Sequence, residues 1–96
     1  MDTAYIIKHV TDIGNPSDRC ESTITVTLSL DRARKFVEKD LIPQLKEAVK
    51  KEWEGSSEET IQDYMPNFVE DRDIPNRYYS SNTDELIVIE EFDILN

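Results

Sequence analysis

Glycine, cysteine and histidine are nearly missing from this 96-residue chain, which holds two, one and one of them. With glycine only at positions 14 and 55, a backbone loop that cradles phosphate is excluded, and a turn-rich all-β domain is disfavoured. Cys20 alone forms no internal disulfide. Long apolar runs are also absent. The longest aliphatic stretch is Leu86 to Ile89, four residues, whereas a membrane-spanning helix needs about 20. The opening "MDTAYIIKHV" carries no basic segment ahead of an apolar one, so no signal peptide is expected. Together these features predict a reducing, cytoplasmic setting and no membrane partner.

Basic residues are scarce in one half. Residues 1–51 carry nine Lys/Arg against eight Asp/Glu, net +1. Residues 52–96 carry only Arg72 and Arg77 against thirteen acids, net −11, so the chain as a whole stands at −10. Seven of the basic residues fall between 31 and 51, against four acids. A field this negative repels nucleic acid and anionic lipid and attracts cationic partners.

The apolar residues recur at regular spacings, so a folded single domain over 1–96 is expected despite the charge, with a modest core. Residues 4–10, "AYIIKHV", predict a strand. "TDIGNPSDRCE" has loop chemistry. "STITVTL", 22–28, alternates strictly and predicts a half-buried strand with Ile24, Val26 and Leu28 inward. Ser29 is placed to cap a helix over 30–54, whose Ala33, Phe36, Val37, Leu41, Leu45, Ala48, Val49 and Trp53 form one apolar stripe. Pro43 predicts a kink near 40–43 or two consecutive helices, and Gly55 a stop. "SSEE", 56–59, predicts a capping box with Ser56 as cap, opening a short helix over about 57–65. Residues 66–83 read as irregular, and 85–95 as the strongest strand.

This pattern predicts an α+β fold: a three-stranded antiparallel sheet, β-β-α-β, with strand order 2-1-3, a long kinked helix on one face and a short second helix. Leu86 and Val88 oppose Ile87 and Ile89, so the second face of the sheet also needs cover. Met65, Phe68, Tyr78 and Tyr79, or a second copy in a homodimer, are the candidates.

Catalytic constellations are not evident. His9 has no sequence neighbour suited to general-base or metal-ligand work, and Cys20 lies in a loop beside Arg19. "DRDIPN", 71–76, opens like a calcium loop but puts Pro75 and Asn76 where that loop needs a ligand and a glycine. A looser cation site among Asp71, Asp73, Asp84 and Glu85 stays open. Arg32, Lys35, Lys39, Lys46 and Lys50 form the polar face of the long helix, but the overall charge opposes binding of a polyanion. The expectation is therefore a protein that is not an enzyme and needs no cofactor and no metal.

In size, charge and lack of catalytic residues the chain resembles two groups of small acidic proteins. One is the phage-encoded inhibitors of host defence nucleases, anti-CRISPR proteins among them. The other is the immunity proteins that neutralise nuclease toxins. No motif is shared, so no residue roles transfer. The resemblance implies a protein that binds and inhibits a basic nucleic-acid-handling partner by occupying its phosphate-binding surface. Candidate contacts are Glu58, Glu59, Asp63, Glu70, Asp71 and Asp73, with Phe68, Tyr78 and Tyr79 as aromatic anchors. The alternative is a non-enzymatic structural or regulatory subunit whose charge serves solubility and whose partner surface is the apolar sheet face.

Overall fold

Strand-forming residues at both ends of the chain meet in the middle of one sheet. The computed structural model describes residues 2–94. Strand β1 (Asp2–Thr11) pairs antiparallel on one side with β2 (Cys20–Thr27) and on the other, along its whole length, with β5 (Glu85–Ile94). The order β2-β1-β5 is the one anticipated for the three long strands. The sheet continues, however. β4 (Arg77–Ser80) pairs with the outer side of β5, and β3 (Val69–Glu70) pairs with β4, giving five strands in the order β2-β1-β5-β4-β3. The expected three-stranded sheet is thus too small. Strands of two and four residues are too short to show alternation, and they form because β5 offers a free edge to pair with.

One long helical segment crosses the sheet. Helix α1 (Leu30–Phe36) starts at Ser29, whose Oγ accepts from the Arg32 amide at 3.3 Å. It passes through a π-helical turn (Val37–Leu41) into α2 (Ile42–Glu52). The turn explains how the helix survives Pro43. Proline offers no N–H to the Lys39 carbonyl, and in a regular α-helix its ring strikes that group. A wider turn, in which the Ile42 amide reaches back five residues to the Val37 carbonyl, makes room. Gly55 lies beyond the helix end at φ +90°, in the left-handed region that glycine occupies without strain.

Helix α3 (Glu58–Tyr64) begins one residue later than expected. Its cap is Ser57, not Ser56. The Ser57 Oγ accepts from the Thr60 amide at 3.2 Å.

The main core lies between the long helix and one face of the sheet. Ile7, Ile87, Ile89 and Tyr78 from the strands are buried against Ala33, Val37 and Leu41, with Phe36, Leu45 and Phe68 packed around them. Three expected core residues are elsewhere. Ile24, Val26 and Leu28 are 39%, 51% and 71% exposed. Alternation divides a strand into two faces without saying which one meets the helix. Here Val26 pairs with Ile6 on the face away from it, while Thr25 lies beside the buried Ile7. Ile24 is the extra residue of a β-bulge, because Ile7 faces Thr25 and Lys8 already faces Thr23.

Ala4, Val10 and Leu86 are buried apart from the main core, on that opposite face. Among the described residues no helix is long and apolar enough to cross a membrane.

Candidate functional site

The acidic residues singled out in the sequence fall into two sets. Glu58, Glu59 and Asp63 project from α3 around an open hollow that Gln62 completes. All three are exposed, and among the described residues no ion pair engages them. The helix carrying them is fixed to α2 by Trp53 and Tyr64, whose rings stack with centroids 4.2 Å apart and planes 6° from parallel.

Glu70 and Asp71 are committed to the fold itself. Glu70 lies 2.7 Å from the Arg34 guanidinium. Asp71 Oδ1 accepts the amides of Asp73 at 2.8 Å and Ile74 at 3.1 Å. Those two donors, Asp73 first, hold the Asp71 carboxyl below its ordinary range. Asp73 is exposed on the same turn.

The aromatic residues divide as well. Tyr78 is buried in the main core, where its hydroxyl donates to Glu38 at 3.2 Å. Burial pushes the phenol up to about 12, with Glu38 and Glu70 adding to the rise and Arg34 opposing it. Phe68 packs against the same core and presents its ring edge to His9, centroids 6.5 Å apart. Tyr78 is core and not a surface anchor, whereas Phe68 is half-buried and shows only part of its ring. Tyr79 points the other way and is exposed, its hydroxyl 3.4 Å from Asp84.

His9 has a partner that its sequence neighbours do not reveal. Its Nε2 lies 3.0 Å from Glu85 Oε1, at the end of β5. Burial raises the Glu85 carboxyl, but hydrogen bonds from His9 and Thr83, together with the His9 charge, outweigh it and leave the group below its usual 4.5. Next to this pair, Ser80 is wholly buried. Its hydroxyl lies 2.7 Å from Thr83 Oγ1 and 2.9 Å from Asn82 Oδ1, and accepts the Asn67 amide at 3.0 Å. Asn82 in turn donates to the Met65 carbonyl at 2.7 Å. This network pins the chain after α3 to the β4–β5 turn, and the Ser80 oxygen is enclosed within it.

At the same end, the Gly14 amide donates to Asp84 Oδ2 at 2.6 Å, an approach that leaves a Cβ only 3.2 Å from that oxygen. Cys20 is a free, exposed thiol. Among the described residues no three His, Cys, Asp or Glu side chains converge on a common cation position.

The remaining surface feature is the sheet face opposite the helix. Strand alternation places Ile6, Val26, Val88, Phe92, Tyr79 and Val69 there. None of the aromatic candidates from 64–79 crosses over to cover it. Phe68 and Tyr78 belong to the helix side, and Tyr79 is part of the open face.

No family profile matches the chain, and no curated protein and no solved structure is significantly similar to it.

Proposed function

We propose that this protein is a non-enzymatic inhibitor that binds a basic, nucleic-acid-handling protein, such as a nuclease, and occupies its phosphate-binding surface. The observation that carries the reading is the set Glu58, Glu59 and Asp63. These carboxylates stand exposed and unpaired among the described residues, on a helix docked by the Trp53–Tyr64 stack. Fixed carboxylates of this kind stand in for phosphates in front of an Arg/Lys-lined groove, and opposite fields speed the encounter. Asp73 is a further exposed acid, on the turn before β4, whereas Tyr79 belongs to the sheet face opposite the helix and not to this surface. The contact set is thereby narrower than the charge count alone suggests.

Affinity capture from the native host, with mass spectrometry of the bound protein, supplies the partner for the test. The association rate and affinity are expected to fall steeply as salt rises. Glu58→Gln, Glu59→Gln and Asp63→Asn combined are expected to slow association about tenfold. A captured partner without a basic surface, or unchanged binding by the triple variant, sinks the reading.

A second reading makes the protein a structural or regulatory subunit that docks through its open sheet face. The exposed apolar side chains there support it, and such an interface responds little to salt.

A further inference from the structure

We infer that the open sheet face is the contact surface for a second copy of this chain, packed face to face as a two-fold sandwich. The inference is independent of the acidic-surface reading, which concerns α3. An antiparallel sheet with one face in water ordinarily turns polar residues outward. This one turns out Val69, Val26, Tyr79 and Phe92, all exposed, around the half-buried Ile6 and Val88 and the buried Ala4, Val10 and Leu86.

Charge points to the occupant. The chain carries −10, yet this face holds two cations, Lys8 and Arg77, against three acids, Asp2, Glu21 and Glu90. A basic partner finds little complementary field on so nearly balanced a patch, whereas a copy of the same patch offers cations to its acids and acids to its cations.

The pairing inside one chain is also incomplete. Lys8 serves both acids, at 3.1 Å from Glu21 and 2.8 Å from Glu90, and is held above its ordinary pKa by the two, Glu90 foremost. Arg77 has no ion-pair partner among the described residues. The strand order completes the pattern. A two-fold axis parallel to the strands, between β1 and β5, lays β2 over the partner's β4. Glu21 on one copy then lies over the partner's β4 two residues along from Arg77, a span the two long side chains bridge, twice, which releases Lys8 to Glu90. Face-to-face sheets pack about 10 Å apart in this manner. Edge-to-edge pairing through β2 is the less suitable route, because the bulge at Ile24 breaks that edge.

Sedimentation across a concentration series, at low and physiological salt, tests the proposal. The wild-type chain is expected to form a dimer that tightens as salt screens the repulsion between two −10 bodies. This is the opposite salt response to that of the inhibitory contact, so the two ideas fail separately. Val26→Lys with Phe92→Lys is expected to yield a monomer with unchanged circular dichroism, since both side chains are exposed in the single chain. Arg77→Glu is expected to weaken the dimer about tenfold. A strict monomer at millimolar concentration, a dimer indifferent to the Lys substitutions, or a captured foreign protein lost with those substitutions while the free chain stays monomeric would each overturn it.

Discussion

The Arg34 guanidinium lies 2.7 Å from the Glu70 carboxylate and so ties helix α1 to β3, the edge strand beside β4. The same side chain donates to Asn76 Oδ1 at 2.8 Å, sits 3.7 Å from Glu38 and lies 5.9 Å from the Tyr78 ring centre. Arg34 is therefore a hub and Glu70 one spoke. Arg34→Ala is expected to cost about 1–3 kcal/mol, through the hydrogen bonds and the ring contact it removes together. Glu70→Gln loses a single half-exposed pair and is expected to cost less than about 1 kcal/mol. Equal effects of the two variants in urea denaturation would argue against the hub.

The position of the core gives a sharper contrast. Ile87 is fully buried between the sheet and the helix, so Ile87→Ala is expected to lose about 2–5 kcal/mol. Val26 is equally apolar but faces away, and Val26→Ala is expected to change the stability of the monomer by no more than about 0.5 kcal/mol. Chemical denaturation at a dilution that keeps the chain monomeric separates the two. A large loss at Val26 would mean that the face is covered within one chain.

The Glu85 carboxyl supplies a pH-dependent term of definite sign. Its pKa is lower in the folded chain than the usual 4.5. The folded state therefore binds that proton less readily than the unfolded state, and the group stabilises the fold above the unfolded value. Glu85→Gln is expected to be less stable than wild type at neutral pH. The gap should close as pH falls from about 4.5 downward. A gap that stays constant across the acid range would show that the Glu85–His9 contact contributes nothing through its charge.

Periodicity made the helices and the three long strands legible. The threonine alternation at 23–27 and the four-residue spacing from Ala33 to Trp53 are local signals, and both sit on the elements they predict. What remained hidden was long-range. Arg77–Ser80 becomes a strand through β5, and Glu70 loses its freedom to Arg34, 36 positions away in the chain. No window of neighbouring residues carries that information. The acids of α3 were legible because they answer to their own helix alone. Tyr78 and Tyr79 were not separable, since adjacent strand residues differ only in which face they take, and that choice belongs to the helix above them.

The π-helical turn, described above as an accommodation of Pro43, also sets the helical phase. Ala33, Val37, Leu41, Leu45, Val49 and Trp53 recur every four residues. In an unbroken α-helix each such step advances by about 40°, so this line of side chains winds around the axis by about 200° from end to end. One inserted residue turns everything downstream back by about 100°. The insertion halves the winding. It lets a single helical rod serve the sheet with Ala33, Val37 and Leu41 and still bring Trp53 round to meet Tyr64.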